Sequence, residues 1–212
     1  MNYDSVPLRD FKELNDWETV IFVYQSALKQ VETKIDILNG EFQHRHKYNP
    51  IEHVKSRIKT PESIVKKLKR HGYESSIENM VRYVNDIAGI RISCSFTSDI
   101  YLIADMISKQ NDLTILARRD YMKNPKKSGY RSYHMLVTTP VFLSDSIIDT
   151  KVEIQIRTVA QDFWATLEHK MHYKFEGDGP DYITKELREC ARYVAELDTR
   201  MEAVSYTHLR AH

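Results

Sequence analysis

The sequence has little cysteine, little glycine and no long apolar run, and each scarcity excludes a class of protein. Its two cysteines, Cys94 and Cys190, are too few for a disulfide framework and lack the spacing of a metal site. Six glycines beside thirteen tyrosines exclude collagen-like repeats and low-complexity disorder. Apolar stretches such as 20–24 are far shorter than the roughly 20 residues of a membrane span. The acidic N-terminus lacks the apolar segment of a signal peptide, so we expect a cytoplasmic protein without a membrane anchor.

Positive charge is clustered, although the formal net charge is only +1. Residues 53–73 contain seven lysines and arginines against one acid, and residues 115–134 contain six against one. Two local basic segments on a nearly neutral chain favour an anionic ligand over wholesale wrapping of nucleic acid. A solvated helix face is the alternative for either segment taken alone. The second segment is the stronger indication, because it also contains Gly129 and Tyr130.

Apolar periodicity predicts an α+β fold in which helices flank a mixed β-sheet. Helices are predicted at 16–40, 60–70, 98–110, 159–174 and 183–204, and strands at 86–96, 113–117, 133–141 and 151–158. The first helix is expected to stop at Gly40, and residues 118–129 are expected to form a polar loop. In the helix at 159–174 we expect three side chains to face the core, namely Phe163, Trp164 and Leu167.

Two acids stand at strand positions. Asp86 opens an apolar segment that reads as a central strand, and Glu153 lies on the polar side of an alternating strand. Carboxylates on a sheet are costly to bury unless they hold a cation or a basic partner. Two such groups suit Mg²⁺, which binds one or two protein carboxylates together with nucleotide phosphates. The alternative is that Asp86 is a cap and Glu153 an exposed residue of an edge strand.

Basic side chains surround a predicted helix start at Thr60-Pro61, which is the arrangement of a phosphate-binding site. In the segment KNPKKSGYRSYH, Gly129 lets the backbone approach a ligand, and Tyr130 offers a ring on which a base could stack. His134 follows as a donor to a phosphate or a base. The chain has neither a Walker loop nor a kinase glycine loop, which argues against the common nucleotide-hydrolysing designs.

Five motifs follow one another over residues 48–175: YNPIEHVKSRIKTPESI, NDIAGIRI, RRDYMKNPKKSGYRSYH, VEIQIRT and DFWATLEHK. In this order they resemble the small alarmone synthetases, stand-alone relatives of the RelA/SpoT synthetase domain, and come closer to the unregulated, RelP-like branch. The resemblance implies a nucleotidyltransferase-like fold. It also implies transfer of the β,γ-diphosphate of ATP to the ribose 3′-hydroxyl of GTP or GDP, with release of AMP, in the stringent response. No His-Asp dipeptide occurs, so we expect no hydrolysis of the alarmone.

The resemblance also implies roles for individual residues. Asp86 and Glu153 would bind Mg²⁺, and Glu153 would also be the base for the 3′-hydroxyl. The ATP-binding residues would be Arg57, Lys59, Ser63, Lys67, Arg91 and Arg119. Two of them, Arg57 and Arg119, would enclose the adenine. The acceptor nucleotide would be bound by Lys126, Tyr130, His134 and Gln155, with guanine stacked on the tyrosine ring.

The implied organisation has a helical extension at 1–47, a (p)ppGpp synthetase domain at 48–175 and a C-terminal helix at 176–204. Residues 205–212, SYTHLRAH, match nothing in the family and are interpreted as a non-native tail. Some relatives are tetramers, so a homotetramer is expected. The alternative function is a single-stranded RNA-binding protein without turnover, since basic segments with aromatic residues can bind RNA. Such a protein would not need the two acids.

Overall fold

The computed structural model describes residues 16–174 and 181–209, and in this part of the chain six helices flank a mixed five-stranded sheet. The helices are α1 (Trp17–His46), α2 (Pro61–Arg70), α3 (Ile77–Tyr83), α4 (Thr97–Ser108), α5 (Val159–Lys174) and α6 (Asp181–Leu209). The strands are β1 (Ile51–Ile58), β2 (Ala88–Cys94), β3 (Thr114–Asp120), β4 (Tyr133–Phe142) and β5 (Ile147–Thr158). The predicted α+β fold class is confirmed. Among the described helices, none combines the length and the apolarity that a membrane crossing requires.

The strands are ordered β1–β2–β5–β4–β3, and only β2 and β5 run parallel. Residues paired across neighbouring strands share a face of the sheet, so the register determines which side chains meet. One such row crosses all five strands and is polar throughout; it consists of Lys55, Arg91, Gln155, His134 and Arg119. The adjacent row pairs Arg57, Gly89 and Glu153.

The opposite face of the sheet is apolar and belongs to the main core. Alternate residues of β2 and β5, Ile90, Ile92, Ile154 and Ile156, are buried there with residues of α1 and α4. Asp16 caps the start of α1, because its Oδ1 accepts hydrogen bonds from the backbone N–H groups of Glu18 and Thr19. Because α1 and α4 pack on this face, the polar row lies on the other face, away from the main core.

Two elements, β1 and α3, are absent from the sequence prediction. Strand β1 is an edge strand with exposed side chains at most positions, so its sequence lacks an alternating apolar pattern. Helix α3 has only seven residues, too few for a period of 3.6 to appear. The one sequence feature that indicates the start of α3 is its capping residue, Ser76, whose hydroxyl oxygen accepts a hydrogen bond from the N–H of Asn79.

Several predicted boundaries are wrong. Helix α1 continues through Gly40 to His46, and the next residue, Lys47, caps it in the left-handed conformation usual for glycine (φ 51°). Strand β3 extends to Asp120, so residues 118–120 are not loop; as part of an edge strand they remain polar. Asp86 precedes β2 instead of opening it.

The C-terminal helices also differ from the prediction. Of the three α5 side chains expected in the core only Trp164 is buried, because α5 contacts α6 along one side and leaves Phe163 and Leu167 exposed. Helix α6 passes the predicted end at residue 204 and continues to Leu209, since no proline or glycine interrupts it. Residues 175–180 and 210–212 lie outside the described part of the chain.

Candidate active site

A cavity of about 210 Å³ opens on the polar face of the sheet above β1, β2 and β5. Both predicted metal ligands, Asp86 and Glu153, line it together with three further predicted residues, Arg57, Arg91 and Gln155. Sequence reasoning missed the other lining residues, which are Lys55, Ser56, Gly89 and Ile90. Two of these belong to the unpredicted strand β1. Because β1 pairs with β2, its basic side chains face the same space as the two acids.

Asp86 lies between two ammonium groups. Its Oδ2 is 2.7 Å from Nζ of Lys59, which follows β1, and its Oδ1 is 2.7 Å from Nζ of Lys67 on α2. Burial raises the pKa of Asp86, but the hydrogen bonds and charges of the two lysines more than offset this, and the net pKa lies below the ordinary value. Asp86 is therefore ionised at neutral pH, as a metal ligand must be.

Glu153 is held by neighbours from β4 and β5. Gln155 donates from Nε2 to Oε2 over 2.9 Å, and Nδ1 of His134 is 3.5 Å from Oε1. Burial raises the pKa of Glu153, and the charge of Asp86 raises it further. The bonds from His134 and Gln155 outweigh both effects, so the net pKa is lowered. Glu153 is thus a second ionised carboxylate in the same cavity.

The two acids fit a divalent cation that is shared with a nucleotide. Each carboxylate is bound only by polar side chains, which a cation can displace. Within residues 16–174 and 181–209, no group of three or more His, Cys, Asp or Glu side chains forms a complete metal cage. Two carboxylates without a third protein ligand suit Mg²⁺, which commonly takes its remaining ligands from water and phosphate oxygens.

A hydrogen-bond network extends from Glu153 to the loop before β4. Arg157 donates from Nη2 to Oε1 of Gln155 over 2.6 Å, and Nε2 of His134 is 2.9 Å from Oη of Tyr130. Two cations lie against the Tyr130 ring: Nζ of Lys126 is 4.7 Å and Cζ of Arg157 is 5.4 Å from its centroid. The structure therefore brings all four predicted acceptor-binding residues together, beside one of the acids.

Arg157 and Asp162 are part of this network and were missed from the sequence. Arg157 is only 2% exposed, and its Nη1 is 3.6 Å from Oδ1 of Asp162 in the first turn of α5. The same oxygen is 3.4 Å from Nη1 of Arg91. The alternation that places Glu153 on the polar face also places Arg157 there, and this signal was available. Asp162 opens the motif DFWATLEHK, but the motif does not reveal its partners, because these come from two strands.

Four predicted ATP-binding residues do not line the cavity: Lys59 and Lys67 reach it through Asp86, whereas Ser63 and Arg119 lie away from it. Ser63 is exposed in the first turn of α2, with its Oγ 3.0 Å from Oγ1 of the capping residue Thr60. Arg119 is exposed on β3, where its Nη1 is 3.5 Å from Oη of Tyr121. Arg57 and Arg119 stand on opposite edge strands, four strand spacings or roughly 19 Å apart. Enclosing an adenine would require both side chains to extend toward each other across the open face.

The family match and two of the most similar curated relatives point to the same group of proteins. A family described as "Region found in RelA / SpoT proteins" matches residues 56–178, which is more than half of the chain. The chain is 46% identical over 188 residues to GTP pyrophosphokinase YwaC of Bacillus subtilis, with 89% of this chain and 90% of the relative covered. It is 34% identical over 188 residues to GTP pyrophosphokinase YjbM of the same organism, with 89% and 88% covered.

Solved structures with the same fold come from the same group. The structure of small alarmone synthetase 2 from Bacillus subtilis is 43% identical, has a TM-score of 0.82, and covers 90% of this chain and 99% of its own. Small alarmone synthetase 1 from Bacillus subtilis, bound to its product pppGpp, is 33% identical with a TM-score of 0.84 and covers 90% and 97%.

Proposed function

The chain belongs to the RelA/SpoT family as a GTP pyrophosphokinase of the small alarmone synthetase type, and from this premise we propose how its residues divide the reaction. The enzyme transfers the β,γ-diphosphate of ATP to the 3′-hydroxyl of a guanosine nucleotide and makes (p)ppGpp. The observation that supports the proposed site is the pair of ionised carboxylates, Asp86 and Glu153, in one cavity lined by cations. Synthesis without hydrolysis is part of the proposal.

The donor nucleotide is proposed to bind at the β1, β2 and α2 side of the cavity. Asp86 and Glu153 would hold Mg²⁺, which when bound offsets the negative charge of the transferred diphosphate. Lys59 and Lys67, freed from Asp86, would turn to phosphate oxygens, and Arg57 and Arg91 supply further positive charge. These cations let two polyanions meet and hold them for in-line attack. Ser63 and Arg119 remain predicted ATP ligands.

The acceptor nucleotide is proposed to bind at the β4 side, with guanine on the ring of Tyr130. Lys126, already against that ring, is placed to contact the base or the phosphates. His134 and Gln155 both contact Glu153 and so link the acceptor to the second acid. Glu153, ionised and on the acceptor side, is placed to take the proton of the 3′-hydroxyl.

Tyr130 offers a graded test of the acceptor site. Tyr130→Ala removes the stacking surface, worth about 1–3 kcal/mol per base, so we expect the KM for GTP or GDP to rise ~10-fold. Tyr130→Phe keeps the ring and loses the hydroxyl with its contacts to His134 and Ser132, so a change of no more than ~3-fold is expected. Steady-state kinetics with the acceptor varied at saturating ATP measures both. Equal losses in the two variants would contradict stacking.

The proposed function is tested by incubating the protein with ATP, Mg²⁺ and either GTP or GDP and resolving the products by anion exchange. AMP should appear in step with a more highly phosphorylated guanosine nucleotide, and EDTA should stop both. Intact nucleotides from folded protein would overturn the proposal. The alternative of an RNA-binding protein without turnover has no support among the relatives described above, which are named as pyrophosphokinases.

We also propose a homotetramer, which neither the sequence nor the comparisons test. Its support is a row of half-exposed or more exposed apolar side chains on α6, spaced three and four residues apart: Tyr193, Leu197, Met201 and Val204. Light scattering on the purified protein should give four times the 25.0 kDa chain mass. A mass of 25.0 kDa at assay concentration would overturn this part of the proposal. The cytoplasmic location also remains a prediction.

A further inference from the structure

Lys151 is a buried lysine whose two hydrogen-bond acceptors carry no charge. It lies on β5, two residues before Glu153, and is 4% exposed. Its Nζ donates to Oδ1 of Asn85 and to the carbonyl oxygen of Arg82, each over 3.0 Å. Buried ammonium groups are usually paired with a carboxylate, because desolvation is otherwise poorly offset. Burial lowers the pKa of Lys151 to about 8, which reflects that cost.

The two acceptors belong to the segment that carries Asp86. Arg82 is in the last turn of α3, Asn85 follows the helix, and Asp86 is the next residue in the chain. Lys151 and Glu153 project to the same side of β5, because side chains alternate along a strand. The contact therefore joins β5, which carries Glu153, to the residues that immediately precede Asp86.

The two lysines that contact Asp86 directly cannot fix the position of its segment throughout the reaction. Lys59 and Lys67 contact the carboxylate itself and are proposed to turn to phosphates when ATP binds. Lys151 contacts the backbone and the neighbouring amide instead, so its bonds need not change during the reaction.

We propose that Lys151 is a positioning residue, which fixes the segment of Asp86 to the strand of Glu153 and so sets the separation of the two carboxylates before nucleotides bind. The inference rests on the proposed function, because it takes both acids as metal ligands. A cationic donor suits this place since it can bind two oxygens at once, from a carbonyl and from an amide.

The test is Lys151→Met, which keeps most of the apolar stem and removes the ammonium. We expect Mn²⁺, titrated into protein saturated with a non-hydrolysable ATP analogue and followed by electron paramagnetic resonance, to bind ~10-fold more weakly. We also expect kcat to fall ~10-fold and the half-saturating Mg²⁺ concentration to rise, with the KM for GTP within ~2-fold of wild type. Lys151→Arg, which keeps the charge and the donors, should recover most of the Mn²⁺ affinity.

Lys34→Met is the matched control. Lys34 is partly buried, with its side chain 23% exposed, and its Nζ is 2.8 Å from Oδ2 of Asp112, away from the cavity. Its loss should lower the melting temperature without changing Mn²⁺ binding or kcat. If Lys151→Met behaves like this control, Lys151 is structural only and the inference is wrong.

A second variant covers the case in which Lys151→Met does not fold. Asn85→Ala removes one acceptor and leaves Lys151 its bond to the Arg82 carbonyl, so we expect a ~3-fold loss of Mn²⁺ affinity. Unchanged affinity in Asn85→Ala would overturn the positioning role. A wild-type protein that makes no alarmone would instead overturn the proposed function, so the two failures are distinguishable.

Discussion

Asp86→Asn is expected to lower the rate of (p)ppGpp synthesis at least ~10³-fold, while the protein remains folded. The substitution removes one of two carboxylate charges at the proposed metal site. Each carboxylate oxygen of Asp86 is now 2.7 Å from a lysine ammonium. In the variant an NH₂ group replaces one of these oxygens, so two hydrogen-bond donors would face each other. Loss of a preorganised charge in a catalytic site costs about 4 kcal/mol in such cases, which corresponds to the stated factor. Release of AMP at saturating Mg²⁺ gives the rate directly.

Asp112→Asn is the control for this experiment. Asp112 also pairs with a lysine, Lys34, over 2.8 Å, but lies outside the cavity lining. Its replacement should leave kcat within ~2-fold, because the pair lies outside the cavity that holds the two acids. More than a tenth of wild-type turnover in Asp86→Asn would contradict the role of Asp86. A protein that instead bound single-stranded RNA would bind it no worse after the same substitution, so one variant separates the two functions.

The sequence predicts best what depends on local periodicity. Alternation in β5 places Glu153 and Gln155 on the polar face, and the structure has them there. The fold class follows in the same way, because each long element has its own apolar pattern. Cap chemistry is also local, so the start of α2 at Thr60 is predicted and is found.

The features that the sequence does not predict depend on how the strands are aligned in the sheet and on which strands lie at its edges. Strand β1 has no apolar alternation, because most of its side chains are exposed and several are basic. One of these basic residues, Arg57, lines the cavity, so the polar character that serves the site also makes the strand hard to predict. The polar row across the sheet exists only once five strands are aligned, since its members are far apart in the chain. Lys151 looks like a surface lysine until α3 is seen to cover it. The apolar side chains of α6 predict a helix but not that several of them face outward.

Gly129→Ala is expected to lower kcat/KM for GTP or GDP ~10²-fold and to leave the KM for ATP within ~2-fold. Gly129 has a positive φ of 93°, and a Cβ at this position would be 2.5 Å from Cβ of Ala191 on α6. The added methyl group therefore costs both backbone strain and contact with a buried side chain, together about 3 kcal/mol. The loop can relieve the contact only by moving away from α6. Tyr130, which packs against the cluster of Trp164, Ala165 and Ala191, would move with it.

Two further variants separate strain from contact. Gly72→Ala also places a methyl group at positive φ, 78°, but with no atom within 4 Å, so it should lose stability and keep acceptor kinetics near wild type. Ala191→Gly in the Gly129→Ala background removes the opposing methyl group and leaves the strain, so we expect about a tenfold recovery of kcat/KM. No recovery would mean that backbone strain alone explains the defect. Recovery would show that α6 holds the loop of Gly129 and Tyr130 in place, so that the position of α6 determines acceptor affinity.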